Sequence, residues 1–256
     1  RPVSSAASDV YKRQLQNNKD DVIYDISGRE VEQTKLLIDN VADSFQRYIY
    51  VSSAGVYSEN YELPLSEDSL LDPQSRHKGK FETENWLIEQ KIPFTSFRPT
   101  YIYGPGNYNK IENWFFERLF QLKKIPIPGD GSLITQLGHV SDLSDVMIKC
   151  LDFEKSKNSI YNCSGEKGIT IKGLIYMCAE VCGLKKNDIS LNKFDFEKLD
   201  PKSRKGFPIR LNHYQIDISK IKNDLNWEPK FDLLSGLKDS FILSLIHISE
   251  PTRLVS

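Results

Sequence analysis

The chain has 256 residues, of which 39% are hydrophobic and 27% are charged, and its 34 basic and 35 acidic side chains give a net charge of −1. This balance excludes a protein that binds nucleic acid through its bulk charge, so any such site must be a local patch. The length suffices for one domain with a hydrophobic core and a small second lobe, and no apolar stretch is long enough for a transmembrane helix.

Short β-rich runs alternate with helical patterns along the chain. The predicted strands cover residues 21–26, 47–53, 92–99, 134–140 and 159–165. The predicted helices cover 29–41, a segment that begins near Arg76, 110–122, 141–151 with Ser141 as N-cap, 170–181, 219–225 and 233–241. Residues 58–74 and 126–132 are rich in turn-forming side chains. Strands that alternate with helices predict an α/β fold with a parallel sheet and right-handed crossovers.

The two ends of the chain fit no strand or helix pattern that continues into the body. Residues 1–14 and 242–256 resemble translated sequencing-adapter read-through, so both are interpreted as non-native tails and left out of the fold prediction. The alternative is a pair of natural disordered tails. The body of the protein is then 15–241.

Two kinds of motif are missing from the sequence. It contains neither G-x-G-x-x-G nor G-x-x-G-x-x-G, and the pairs Gly104/Gly106 and Gly129/Gly131 belong to proline-containing turns. The four cysteines form no C-x-x-C pair, which indicates reduced core thiols, and no metal-ligand spacing is present.

Four segments together resemble the extended short-chain dehydrogenase/reductase (NAD-dependent epimerase/dehydratase) family. They are YIYVSSAGVY (48–57), FRPTYIYGPGN (97–107), PGDGSLITQLGHVSDLSDV (128–146) and LNWEPKFDLLSGLKDSF (225–241). The resemblance implies a Rossmann-like parallel sheet with helices on both faces and a small C-terminal substrate lobe over about 165–241. The first strand here matches the fourth strand of the family. The chain is therefore interpreted as a fragment that lacks the N-terminal strands and the glycine-rich loop, and we expect its unpaired sheet edge to cause aggregation.

The resemblance also implies positions for a catalytic and cofactor site. In the family a Ser or Thr, a Tyr that acts as general acid/base, and a Lys form the site, and the match places Ser53 and Lys80 at two of these positions. Arg76 stands at the position of the tyrosine, and arginine stays protonated at any working pH. The residues implied for NAD(P) contact are Ser53, Lys80, Pro99, Tyr101 and Ile102.

A second resemblance, to a narrower family, is consistent with an arginine at residue 76. DVIYDISGRE (21–30), DPQSRHKGKFETE (72–84) and NCSGEKGIT (162–170) resemble the chloroplast stem-loop-binding protein family (b-type) and its cyanobacterial relatives. That resemblance implies RNA as partner (stem-loops, mRNA or rRNA), and it allows a divalent-metal-dependent endoribonuclease activity with Mg²⁺. It also implies a plastid or cyanobacterial location, and it leaves open a homo- or hetero-oligomer with a paralogue.

Two basic segments are candidate RNA contacts, because cations and a helix N-terminus both attract phosphate. The candidates are Arg76, His77, Lys78 and Lys80 at the start of a predicted helix, and Lys202, Arg204, Lys205 and Arg210 in a predicted loop. Each segment also fits an ordinary solvated surface, with Lys80 paired to Glu84 one helical turn on. Asp25 is a candidate ligand for a divalent ion, although the sequence shows no second ligand.

Two other functions remain open from the sequence. One is an NAD(P)-dependent nucleotide-sugar epimerase, dehydratase or reductase, which the replacement of tyrosine by Arg76 disfavours. The other is a non-catalytic scaffold that binds a dinucleotide.

Overall fold

The computed structural model describes residues 21–41, 45–59, 62–107, 109, 111–121, 123–204 and 206–249. The strands are β1 (Val22–Asp25), β2 (Arg47–Val51), β3 (Phe94–Pro99), β4 (Tyr101–Tyr103), β5 (Ile125–Pro128), β6 (Ile134–Thr135), β7 (Leu137–His139), β8 (Ser159–Cys163), β9 (Ile169–Thr170) and β10 (Leu191–Phe194). The α-helices are α1 (Val31–Val41), α2 (Lys78–Glu89), α3 (Glu112–Phe120), α4 (Val140–Lys149), α5 (Ile171–Val181), α6 (Pro201–Arg204), α7 (Ser219–Leu225) and α8 (Leu233–Ser249).

Four parallel strands form the central sheet in the order β1–β2–β3–β8. Helix α1 connects β1 to β2, and α2 connects β2 to β3, as the predicted parallel α/β arrangement requires. The remaining strands pair in twos: β4 with β7 and β5 with β10 in parallel, and β6 with β9 antiparallel. The predicted Rossmann-like fold class is confirmed.

The helices cover both faces of the sheet, and β2 shows why. Successive side chains of a strand point to opposite faces. Tyr48 and Tyr50 are fully buried in a cluster with Leu87 of α2, whereas Ile49 is buried in a different cluster with Val146 of α4. A strand that carries apolar side chains on both faces therefore needs a helix on each side.

A third buried cluster forms the smaller lobe. It joins Phe115 of α3, Ile127 of β5, Leu174 of α5 and Leu237 of α8. Because the apolar face of α3 needs cover, the lobe includes α3 and β5, which precede the predicted boundary near 165. Helix α7 lies inside that predicted lobe but packs on the central sheet through Ile221.

Several local predictions were wrong. Helix α2 begins at Lys78 rather than near Arg76. Helix α4 begins at Val140, and its N-cap is not Ser141 but His139, whose Nδ1 accepts a hydrogen bond from the Ser141 N–H at 3.3 Å.

Two further segments are more helical than expected. Pro201–Arg204 forms a short helix inside the predicted loop, because the carboxylate of Asp200 accepts hydrogen bonds from the N–H groups of Lys202 and Ser203. Helix α8 continues to Ser249, into the segment that was set aside as a tail.

Strand β1 lies at one edge of the sheet within the described residues. Tyr24 and Ile26 beside this edge are 43% and 68% exposed. The predicted aggregation through this edge stays a prediction. None of the described helices is long and apolar enough to cross a membrane.

Candidate functional site

A cleft of about 360 Å³ opens where β2 and β3 end. Ser53 follows β2, Pro99 ends β3, and Thr100 comes next, so the cleft lies at the carboxyl edge of the parallel sheet, where ligands of such folds bind. Its lining residues are Ser53, Gly55, Arg76, His77, Pro99, Thr100, Tyr101, Ile102, Asn109, Ile111, Pro208, Arg210 and Tyr214.

A tight turn after β2 forms one wall of the cleft. Ser53 Oγ accepts a hydrogen bond from the Gly55 N–H at 3.0 Å. Ser75 Oγ donates to the Gly55 carbonyl at 2.7 Å and accepts from the His77 N–H at 3.0 Å, which fixes the start of α2 against the turn. Gly55 is required there, because a Cβ atom would lie 2.5 Å from the His77 ring. Ser53 thus lies in the cleft as predicted, and its hydroxyl caps this turn.

Lys80 does not line the cleft. It is 8% exposed, and its Nζ donates to the Gly28 and Val51 carbonyls at 2.5 and 2.6 Å. Burial lowers the pKa of Lys80 to about 8, while the carboxylates of Asp25 and Glu84 act in the opposite direction. The structure contradicts the predicted RNA contact of Lys80, since this amino group is turned inward.

The alternative pairing of Lys80 with Glu84 is also wrong. Glu84 is fully buried and binds Arg98 of β3, with Arg98 Nη2 2.6 Å from Glu84 Oε2. Ser96 Oγ donates to the other carboxylate oxygen at 2.7 Å. This buried ion pair joins α2 to the sheet and so helps to hold the start of α2 at the cleft.

Arg76 and His77 lie at the cleft, just before α2. Arg76 is exposed, and because it precedes the helix it does not share a helical face with Lys80. Its Nε donates to His77 Nε2 at 3.0 Å. Burial, followed by the charges of Arg76, Arg210, Lys80 and Arg29, lowers the pKa of His77 to about 4. His77 is therefore neutral at physiological pH, and the positive charge comes from the arginines.

The second basic segment reaches the same cleft through Arg210. Its backbone N–H donates to the Tyr101 hydroxyl at 2.8 Å, and its guanidinium lies 4.6 Å from the centre of the Tyr214 ring. Arg210 Nη2 lies 3.4 Å from the Gly55 carbonyl, which also accepts a hydrogen bond from Ser75, two residues before His77.

A wider groove of about 700 Å³ continues from the cleft. Cleft and groove share Arg76, Tyr101, Pro208 and Arg210, so these four residues form the boundary between them. Arg204 lies in the groove, where its side chain donates to the carbonyls of Leu199 and Glu197. One carboxylate, that of Glu59, also lines the groove and accepts a hydrogen bond from Asn212 at 3.0 Å.

Two other predicted contacts lie elsewhere. Lys78 and Lys202 are exposed and line neither cavity, and Lys205 lies outside the described residues. In the part of the chain that the structure describes, Arg76, Arg204 and Arg210 form no ion pair with a carboxylate.

The carboxylate of Asp25 is buried and is engaged in hydrogen bonds within the protein. It is 5% exposed, and its oxygens accept hydrogen bonds from the Tyr48 hydroxyl at 2.6 Å, from the Gly28 N–H at 2.7 Å and from the hydroxyl of Thr34. Among the described residues, no group of three or more His, Cys, Asp or Glu side chains could hold a metal ion. The predicted role of Asp25 as a metal ligand gains no support from this geometry.

The residues present fit a nicotinamide cofactor only in part. Ser53, Pro99, Tyr101 and Ile102 line the cleft as the family position implies. The acid that hydride-coupled chemistry requires is replaced by the guanidinium of Arg76, so the acid–base step has no donor at that position.

Sequence reasoning found the two basic segments but missed what connects them. Ser75, Gly55 and Tyr214 organise the wall between the segments, and the hydroxyl of Tyr101 is the direct link to Arg210. Ser75 lies two residues before His77, the N-cap of α2, and its hydroxyl forms a local serine turn by accepting from the His77 N–H.

The parallel sheet, the helices on both faces and the cleft at its carboxyl edge define a Rossmann-like α/β protein, and Arg76 lies at that cleft. The chain belongs to the NAD dependent epimerase/dehydratase family, whose model matches residues 16–164.

Two individual proteins are similar to this chain over most of its length. "Chloroplast stem-loop binding protein of 41 kDa b, chloroplastic" from Arabidopsis thaliana is 44% identical over 238 residues, which are 92% of this chain and 61% of that protein. "Probable GDP-L-fucose synthase 1" from Oryza sativa is 26% identical over 77% of this chain and 62% of that protein. The chain thus spans about three fifths of the length of these relatives.

Solved structures show the same fold. UDP-glucose 4-epimerase from Thermotoga maritima superposes with a TM-score of 0.73 at 19% identity, covering 97% of this chain and 84% of that one. UDP-glucuronic acid 4-epimerase from Bacillus cereus in complex with NAD gives a TM-score of 0.74 at 20% identity, covering 93% and 78%. At this identity the likeness concerns the fold alone.

Proposed function

We propose that this chain is the RNA-binding part of a plastid or cyanobacterial protein, and that it binds RNA stem-loops at the cleft. The observation that carries the proposal is the convergence of two basic segments, which contribute Arg76 and Arg210, on one cleft around Tyr101. The 44% identical relative, which is named for stem-loop binding, supports this assignment.

The charge arrangement favours a polyanion over a dinucleotide alone. At the cleft, Arg76 and Arg210 have no ionic partner among the described residues, and such guanidinium groups suit bidentate contacts to phosphate oxygens. Backbone contacts of this kind tolerate many sequences and weaken steeply as salt rises. A near-neutral chain can bind RNA in this way because the cations are local.

Cleavage of the bound RNA with a divalent ion is the finer part of the proposal. Such a reaction needs a hard cation held by oxygen ligands, which the RNA phosphates can supply in part. We therefore include Mg²⁺ as a variable in the test. NAD(P) enters the same test as a competitor, because the cleft lies where the family binds its cofactor.

The test is a titration of the protein into a labelled stem-loop RNA at several salt concentrations, with and without Mg²⁺. Arg76→Glu and Arg210→Glu should each weaken binding and reduce the salt slope by about one. Lys155→Glu is the matched control, since Lys155 is 74% exposed and lies just before β8, at the opposite end of the sheet. Equal affinity of all four proteins at low salt would overturn the assignment of this cleft.

A further inference from the structure

We infer that the cleft takes one unpaired nucleotide of the bound RNA, while the adjoining strand follows the groove. This inference rests on the proposed function and specifies the form of RNA that the site accepts: an unpaired loop or bulge rather than a continuous duplex.

The size of the cleft limits its ligand to a single nucleotide. Its volume of about 360 Å³ lies near the lower end of the range of about 300–1,000 Å³ that small-molecule sites occupy. One nucleotide is a ligand of this class. A base pair held in an A-form helix cannot enter such a cleft, because the helix presents its phosphates and its shallow minor groove rather than single bases.

The chemistry of the walls agrees with a nucleotide. Pro99, Ile102 and Ile111 give the cleft an apolar part against which a base can lie. Ser53 and Asn109 add polar groups of the kind that contact the edge of an unstacked base or a ribose hydroxyl.

The arginines are placed for the phosphates of that nucleotide. Arg76 and Arg210 lie at the boundary between the cleft and the groove, where the backbone of an extruded nucleotide must pass. Arg204 lies farther along the groove. A strand can thus leave the cleft and continue over further cationic surface, as in other single-strand sites.

The experiment compares two RNAs with the same stem: a hairpin with an unpaired loop, and a blunt duplex without unpaired residues. The protein should bind the hairpin about tenfold more tightly, which is a normal discrimination for one enclosed base. A 2-aminopurine placed in the loop should change its fluorescence on binding.

The variant Asn109→Trp narrows the cleft from an exposed position without altering charge. It should bring the affinity for the hairpin down to that for the duplex, whereas Arg204→Glu should weaken both RNAs. Equal affinity of the unmodified protein for both RNAs, with no fluorescence change, would overturn this inference and leave RNA binding intact. No binding of either RNA at low salt would instead refute the proposed function.

Discussion

The buried pair Glu84–Arg98 gives the sharpest test of how the cleft is held. In Glu84→Gln the charge of Arg98 loses its ionic partner. Arg98 is 4% exposed, and its further acceptors among the described residues are the Tyr57 hydroxyl and the Glu67 carbonyl. Breaking a buried pair on one side costs about 3–5 kcal/mol, and we expect about 3 kcal/mol because the glutamine oxygen still accepts a hydrogen bond. The free energy of unfolding in urea measures this loss.

The control is Glu82→Gln on the exposed side of the same helix, which should change stability by less than about 0.5 kcal/mol. The double variant Glu84→Leu with Arg98→Met removes both charges and should be more stable than Glu84→Leu alone. A loss below about 1 kcal/mol for Glu84→Gln would refute the view that this pair joins α2 to the sheet.

Three further outcomes follow from the structure. The pKa of His77 is lowered in the folded chain, so below pH 6.5 the unfolded chain binds a proton that the folded chain does not, and the free energy of unfolding should fall from pH 6.5 towards 4. In a pH series of urea melts, His77→Gln should make this fall smaller. An unchanged pH dependence in the variant would contradict the assigned pKa. Asp25→Asn should lower the free energy of unfolding by about 1–3 kcal/mol, because it disturbs the hydrogen bonds from Tyr48 and Gly28. The Mg²⁺ dependence of any RNA cleavage should stay unchanged. A shifted Mg²⁺ requirement would support Asp25 as a metal ligand. Replacing the exposed Ile26 beside β1 with Lys should reduce self-association in sedimentation velocity, and identical profiles would exclude this edge as the contact.

The sequence was informative wherever one physical rule dominated. The buried strand at 47–53 and the helix at 170–181 were predicted almost to the residue, because an apolar run and a capping threonine leave little freedom. The resemblance implied NAD(P) contacts at Ser53, Lys80, Pro99, Tyr101 and Ile102. All of these except Lys80 line the cleft, because strand ends in a parallel sheet meet at one edge.

The errors share a different cause. Lys80 was predicted to contact RNA at the start of a helix, but the position of a residue along a helix does not say which side of that helix faces the sheet. Three long-range contacts decided that side: Glu84 with Arg98, and Lys80 with the carbonyls of Gly28 and Val51. Likewise, nothing local to Arg210 indicates that it lies beside His77, because the Tyr101 hydroxyl that holds it is far away in the sequence.

The family resemblance implies a tyrosine at the position of Arg76, and the two side chains would give the cleft different chemistry. A tyrosine there would donate a proton to a substrate in the cleft; Arg76 cannot, since it keeps its charge at any working pH. Its charge adds to that of Arg210 beside a neutral His77, so the cleft concentrates positive charge that no described carboxylate offsets by an ion pair. Under the proposed function, this local charge is what selects phosphate ligands in a chain whose net charge is only −1.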